Sequence, residues 1–104
     1  MLYQQGDIIF RKIDKIPGDA KVVKGRPVII ARDETTGHAH KVVDVLDQVK
    51  VLVDGEDKEK FYILGPATIE HEEHATVNLP EGVFVTDRVK EYDHFLEESR
   101  QLRD

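Results

Sequence analysis

Residues 48–64 read QVKVLVDGEDKEKFYIL, and this stretch decides the fold class. Two short runs rich in β-branched and aromatic residues flank the polar turn Asp54-Gly55-Glu56-Asp57. Asp-Gly between apolar runs is a strong short-range signal for a β-hairpin. The stretch therefore predicts two antiparallel strands, at residues 48–53 and 61–64, joined by this turn.

Similar short runs continue on both sides of the hairpin, separated by turn residues. They predict further strands at residues 8–13, 22–23, 27–31, 38–45 and 83–86. The near-continuous apolar run at 27–31 is typical of a strand buried on both faces. Gly65-Pro66 and Pro80-Glu81-Gly82 are expected to interrupt the strands beside them. Strands spaced by about eight to twelve residues are typical of an all-β domain, here a small antiparallel barrel or sandwich.

The end of the chain has a different pattern. Asp93 can cap a short helix over residues 94–103, with acidic residues in its first turn and arginines in its last. We therefore expect a single domain, with a β-barrel over residues 1–92 and a C-terminal helix or tail over residues 93–104. The narrow apolar stripe of this helix could lie on the barrel or pair with another subunit, so a homo-oligomer is compatible with the sequence.

Composition restricts the cellular location and the partners. The chain has 104 residues, of which 39% are hydrophobic and 35% charged, and a formal net charge of −6. It contains neither a long apolar run nor the basic and then apolar layout of a signal peptide, so we expect a cytoplasmic protein without a membrane partner. The net negative charge argues against a nucleic-acid partner, because contacts to phosphate groups dominate that affinity. Residues 11–26 carry six basic against two acidic side chains, but they include no aromatic residue on which a base could stack.

The histidines carry the functional signal. The chain has five of them and no cysteine, so a transition-metal site must be built from imidazole and carboxylate groups. His38 and His40 form one group, and on a strand they point to the same face because side chains alternate with a period of two. The same parity brings Asp44 to that face. His94 stands apart and is interpreted as a surface residue or as part of the helix N-terminus.

The second group, His71-Glu72-Glu73-His74, allows two geometries. In the first, the two glutamates form a two-residue hairpin loop and the histidines face each other across it. In the second, residues 67–79 run straight on as one strand, and a bulge near Glu72 could re-aim His74. We prefer the second, because it gives a clean alternation and because two glutamates suit the favoured hairpin turns poorly.

Straight alternation places His71 and Glu73 on the apolar face, where isolated polar groups would be costly unless a metal or a mutual hydrogen bond compensates them. The sequence therefore predicts a site for a divalent transition metal: zinc, manganese, iron, nickel or copper. The competing interpretation is that these residues form a solvent-exposed polar cluster without a metal, in which the histidines interact with nearby acidic side chains. The candidate ligands of the predicted site are His38, His40, His71, His74, Glu73 and Asp44.

These motifs resemble those of the cupins, small β-barrels that hold a metal inside. His38-Ala39-His40 followed by Asp44 is similar to the first cupin motif, although Arg32 stands where that motif has glycine. Pro80-Glu81-Gly82 is similar to the start of the second motif, although Val85 stands at its histidine position. The resemblance implies that His71 or His74 supplies the third imidazole.

The chain also resembles a group of small bacterial proteins of unassigned activity with Thr-Gly-His-x-His, His-x-Glu-His and Leu-Pro-x-Gly motifs. The matching segments are residues 36–40, 71–74 and 79–82. This resemblance implies a fold and a site, but it does not imply a reaction.

Two functions follow as hypotheses. The first is a small cupin-like metal-binding domain with an undefined reaction and room for a small polar ligand. The second is a non-enzymatic interaction or sensing module, in which the histidine–glutamate cluster is structural or responds to pH. A serine triad is not expected, because the single serine, Ser99, lies on the predicted helix outside a nucleophile-elbow context.

Overall fold

The all-β expectation is confirmed. The structure, a computed structural model, describes residues 2–33, 36–44 and 49–89. The described residues form eight strands and no helix: β1 Leu2–Gln5, β2 Ile8–Ile13, β3 Lys21–Val22, β4 Val28–Arg32, β5 Ala39–Val42, β6 Lys50–Val53, β7 Phe61–Glu70 and β8 Val77–Arg88. None of these residues forms a helix long and apolar enough to cross a membrane. The helix predicted over residues 94–103, and His94 with it, lie outside the described residues.

All eight strands form one antiparallel sheet that forks at β7. The main path runs β1-β2-β8-β7-β5-β4, and β6 pairs with both β7 and β3. The first half of β7 pairs with β6, from Phe61 to Leu64, and its last residues, Ile69 and Glu70, pair with β5. One long strand therefore holds the predicted hairpin at one end and the histidine-bearing strand at the other.

Strands β7 and β8 run through the two segments that were expected to interrupt them. Gly65 and Gly82 face each other across the pair, and a register shift between Gly65 and Ala67 accommodates the irregularity. A Cβ atom on Gly65 would overlap the carbonyl oxygen of Pro80, so this close approach of two backbones requires glycine. The expectation of chain breaks at 65–66 and 80–82 is therefore wrong, because paired glycines let the strands continue.

Residues 67–79 do not form one straight strand. Strand β7 ends at Glu70 and β8 begins at Val77, and Ile69 pairs with Val77 across the hairpin. The preferred straight geometry is therefore wrong. The two-residue turn is also wrong, because it would pair Ile69 with Thr76. Residues 71–76 form a wider loop, which explains how two glutamates that disfavour a tight turn can occupy it.

The core lies on the inner side of the curled sheet. Its largest fully buried members are Phe10, Phe84, Ile63, Ile69 and Leu79. On β4, Val28 and Ile30 join this core while Ile29 is 38% exposed. The expectation of a strand buried on both faces is therefore wrong, and β4 alternates like the half-exposed strand of an antiparallel sheet.

Side chains tie each end strand of the sheet to a part of the sheet that it does not pair with. Strands β1 and β4 lie at opposite ends of the strand path. The side chain of Gln5, at the end of β1, donates hydrogen bonds to the carbonyl oxygens of Ile69 and Ala75, both at 2.9 Å. Arg88 of β8 donates to the carbonyl oxygen of Arg32 at 3.1 Å. These contacts bring the β1–β2 turn, the end of β4 and the β7–β8 loop to one place.

Candidate metal centre

Four histidines meet where the sheet ends come together. The ring centre of His71 lies 4.4 Å from that of His40, 4.5 Å from that of His74 and 5.9 Å from that of His38. His40 and His74 lie nearly parallel, with their ring centres 6.1 Å apart. The structure therefore brings the two histidine groups of the sequence into one cluster.

A potential chelating group lies at the centre of this cluster. Asp33, His40 and His71 each offer one ligand atom, and these atoms all lie within 4.8 Å of one another. The three residues come from three different places in the sheet: directly after β4, within β5 and directly after β7. Two imidazole nitrogens and one carboxylate oxygen form a donor set that could hold a metal ion.

Gln5 fixes the ring of His40. Oε1 of Gln5 lies 2.8 Å from Nδ1 of His40, while the amide nitrogen of Gln5 donates to two backbone carbonyls. Since the amide nitrogen can only donate, Oε1 must be the acceptor, and His40 must carry its proton on Nδ1. A neutral His40 therefore presents an unprotonated Nε2, as a metal-binding imidazole does when its other nitrogen donates to an outer partner.

The free nitrogen of His40 is buried between two carboxylates. Nε2 is fully buried and has no hydrogen-bond partner among the described residues. It lies 3.7 Å from Oδ1 of Asp7 and 3.8 Å from Oδ1 of Asp33. Burial, together with the charge of His71, lowers the pKa of His40 to about 4 against the opposing effect of the two aspartates. A lone pair and two carboxylate oxygens around one point form an environment that attracts a cation.

His71 is held by protein groups on both ring nitrogens. Its Nε2 lies 2.9 Å from Oδ2 of Asp33, and its Nδ1 accepts the backbone N–H of Glu73 at 3.0 Å. The neutral ring therefore carries its proton on Nε2 and donates it to Asp33. Burial raises the pKa of Asp33, but the hydrogen bond from His71 and the charges of His71 and His40 outweigh it and bring this pKa below its usual range.

The turn between β1 and β2 covers one side of the cluster. Gly6 in this turn has a φ of +59°, and a Cβ atom added to it would lie 2.7 Å from Nε2 of His74 and 3.4 Å from Cε1 of His40. Only glycine combines this backbone conformation with so close an approach. His74 itself is exposed. The cluster is therefore buried at His40 and reaches solvent at His74.

The remaining predicted ligands lie at different distances from the centre. Glu73 is exposed, and its Oε1 lies 2.9 Å from Nδ1 of His38 without hydrogen-bond alignment. Asp44 lies outside the cluster, because its Oδ1 accepts the backbone N–H of Thr68 at 2.6 Å. Strand parity had placed both carboxylates on the inner face. Residue 73 instead belongs to a loop, and β5 ends at Val42, before Asp44.

Glu72 anchors the loop that carries His71. It accepts the backbone N–H of Ala39 at 2.9 Å and pairs with Lys41 at 2.9 Å. The hydrogen bond from Lys41, followed by that from Ala39, lowers the pKa of Glu72 to about 2. Glu72 therefore ties the β7–β8 loop to β5 and keeps His71 beside His40.

Sequence reasoning missed Asp33, Asp7 and Gln5. Asp33 lies in the polar segment between the strands predicted at 27–31 and 38–45, where the sequence indicates only a turn, and the sequence analysis does not predict β1, which positions Gln5. The one available signal was Gly6-Asp7 between Tyr3 and the apolar run at 8–13, which fits a two-residue hairpin turn. That signal would have placed residues 5 and 7 on a second hairpin, but it would not have shown that this hairpin meets the histidines.

Comparisons with known proteins place the whole cluster within one family domain. No curated protein and no solved structure matches the chain significantly. A family model described as a domain of unknown function, DUF8820, matches residues 4–89. This range contains every residue of the histidine–aspartate cluster together with Gln5 and Gly6. The chain therefore belongs to the DUF8820 family of domains of unknown function.

Proposed function

We propose that this domain binds one divalent transition metal ion through Nε2 of His40, Nε2 of His71 and the carboxylate of Asp33. The observation that carries the proposal is the buried, unpartnered Nε2 of His40, which lies between the carboxylates of Asp7 and Asp33. A buried lone pair without a partner is unfavourable, whereas a bound cation would satisfy it. Asp7 and His74 lie beside the same point and are available to complete the coordination.

The donor set supports zinc, manganese, iron, nickel or copper. Imidazole nitrogens favour these ions over magnesium and calcium, and the described cluster offers no thiolate that would favour a closed structural zinc site. A metal with an open position would supply Lewis acidity or an activated water molecule. The histidine motifs resemble those of cupins, which hold a metal of this class. We therefore also propose that the domain is a small cupin-like metal-binding protein.

Metal binding is expected to change the tautomer of His71 without a net release of protons. Nε2 of His71 carries the proton that it donates to Asp33, so a metal that takes this nitrogen must displace that proton. The ring then places its proton on Nδ1, where the N–H of Glu73 now donates. The 71–76 loop must therefore adjust when the metal binds.

Metal titration tests the proposal. We expect tag-free protein to bind one equivalent of zinc or cobalt by calorimetry, with a binding enthalpy that is the same in buffers of different ionisation enthalpy because the proton stays on the ring of His71. His40→Ala should abolish binding. Val42→Ala is the matched control, because Val42 is equally buried on the same strand but offers no ligand. Loss of binding in both variants, or retention in His40→Ala, would contradict the assignment.

A metal-free cluster is the second candidate function. The observation that favours it is the complete hydrogen bonding of His71, whose two nitrogens are satisfied by Asp33 and Glu73 without any ion. In that case the cluster would hold the sheet ends together or respond to pH. Protein that folds normally and binds none of the five metals, at protein and metal concentrations near 100 µM, would support this candidate over the first.

A further inference from the structure

A cavity of about 450 Å³ lies beside the candidate metal centre and shares Asp33 with it. Strand β4, the end of β8 and the β6–β7 loop border it. The residues that matter for its chemistry are Arg32, Asp33, Lys58, Ile8, Ile29 and Phe61. A volume of this size is within the range of ligand pockets in proteins of known function.

Two cationic side chains in the cavity wall have no partner among the described residues. Of the other charged side chains, Asp87 pairs with Arg11 and Arg88 pairs with Asp7, while Asp33 accepts a hydrogen bond from the neutral His71. Within residues 2–33, 36–44 and 49–89, the side chains of Arg32 and Lys58 have no ion-pair or hydrogen-bond partner, and neither has the side chain of Glu59. The side chains of Arg32 and Lys58 are therefore free to bind an anionic group in the cavity.

The rest of the wall is apolar. Ile8 is buried in the core, Phe61 packs against it, and Ile29 is the exposed isoleucine of β4. Ile29 and Phe61 line the same cavity, and an apolar ligand group that covers Ile29 would bury further apolar surface. The wall therefore suits a ligand with an apolar body and one charged end.

We propose that this cavity binds a small organic carboxylate with an apolar body, its carboxylate held by Arg32 and Lys58 and its body against Ile29 and Phe61. Arginine matches the geometry of a carboxylate through paired N–H groups, and lysine adds a second charge. A molecule without the carboxylate leaves both cations unsatisfied, and one without the apolar body leaves the isoleucine exposed. Both features are therefore required.

Asp33 connects the cavity with the metal centre, because it lines the cavity and belongs to the chelating group. A carboxylate ligand in the cavity would thus lie next to the metal, as a substrate would. This role as a substrate pocket rests on the proposed function, whereas binding of the carboxylate does not require the metal.

Titration of metal-free protein with phenylacetate, followed by amide chemical shifts in NMR, tests the inference. The neutral isostere 2-phenylacetamide is the matched ligand, and acetate is the ligand without an apolar body. We expect phenylacetate to shift the amide signals of residues 29–33 and 58–61, and to bind about tenfold more tightly than either control, as one desolvated charge contact or one buried apolar group is typically worth.

Three variants test which side chains of the cavity contribute to ligand binding. Arg32→Gln and Lys58→Gln should each weaken phenylacetate binding about tenfold without changing 2-phenylacetamide binding. Ile29→Gln should weaken the binding of phenylacetate and leave the binding of acetate unchanged. Lys24→Gln removes an exposed lysine that does not line the cavity and is the control. Each of these positions is exposed, so the variants are expected to fold.

The outcomes separate the two proposals. Equal binding of phenylacetate and 2-phenylacetamide, or shifts confined to residues outside the cavity, would overturn the carboxylate pocket even if the metal binds. Selective binding of phenylacetate that survives in His40→Ala would support the pocket even if the metal site fails.

Discussion

A single amide side chain determines which nitrogen of His40 is free. Gln5 accepts from Nδ1 and donates to two carbonyl oxygens, so all its polar atoms are used in a site where it is only 2% exposed. No local sequence pattern singles out Gln5, because its importance depends on contacts with residues 35 to 70 positions away. Among the described residues, the side chain of its neighbour Gln4 makes one hydrogen bond, to the carbonyl oxygen of Gly6.

Gln5→Leu should weaken metal binding by about 10- to 100-fold, the usual effect of removing an outer partner of a metal-binding imidazole. The expected cause is loss of the tautomer that exposes Nε2. Calorimetric zinc titration measures the change. Gln4→Leu is the control and should bind zinc like the unmodified protein, whereas an equal loss in both variants would point to a general effect of the hairpin.

A second residue-scale contact lies away from the centre. The hydroxyl of Tyr62 donates to Asp54 at 2.6 Å. Burial and the nearby Asp54 raise the pKa of Tyr62 to about 12, and the hydrogen bond from Tyr62 lowers the pKa of Asp54. This pair closes the β6–β7 hairpin, the element that the sequence predicted most directly.

Tyr62→Phe should lower the free energy of unfolding by about 1 kcal/mol at neutral pH, the net value of one hydrogen bond. Because the pKa of Tyr62 is higher in the folded state, its contribution is present below the ordinary tyrosine pKa of about 10 and is lost as the pH rises through about 12. Urea unfolding between pH 7 and 12 should therefore show the two proteins converging at high pH. A difference that grows with pH would contradict this sign.

At the scale of elements, the strands were predictable where alternation and turn residues agree. The hairpin at residues 48–64 and strand β2 follow from local sequence, since a strand pattern beside a strong turn leaves few alternatives. The continuous course of β7 and β8 was not predictable, because it depends on Gly65 and Gly82 facing each other from different strands.

The histidines of the candidate site could be predicted from the sequence, but its carboxylate could not. The grouping of four histidines is a property of the local sequence, whereas the choice of carboxylate depends on which loops meet. The alternation of side chains along a strand favoured Glu73 and Asp44 as the carboxylate ligand. Strand β7 ends at Glu70, so residue 73 lies in a loop, where this alternation does not apply. Asp33 enters from the end of another strand, which no pattern within its own segment could show.

The β1–β2 turn offers an element-scale test with a matched control. Gly6 and Gly37 both have positive φ angles, +59° and +76°, but only a Cβ on Gly6 would meet another residue, namely His74 and His40. Replacement by alanine should cost about 1–2 kcal/mol of backbone strain at either position. Only Gly6→Ala should also displace the histidines and weaken zinc binding, as measured by calorimetry. Equal zinc affinity in the two variants would show that the turn does not shape the centre.

For the whole molecule, a metal that binds only the folded state should raise thermal stability. At a free concentration 100 times its dissociation constant, such a ligand adds about 2.7 kcal/mol. We therefore expect the melting temperature, measured by circular dichroism, to rise with zinc concentration and to stay constant in His40→Ala. A chelator should reverse the rise, and a zinc-dependent shift that survives in His40→Ala would indicate binding elsewhere.

The bonds from Gln5 to Ile69 and Ala75 also have a consequence for the order of folding. They join residues 64 and 70 positions apart, so closing them orders most of the chain at an entropic cost that local hairpins do not carry. We therefore expect the β6–β7 and β1–β2 hairpins to form before the junction that orients His40 closes. During synthesis, a chain that has not yet emerged as far as residue 75 cannot complete this junction. Metal uptake would then report that the domain has finished folding, and truncated chains would be left without a formed site.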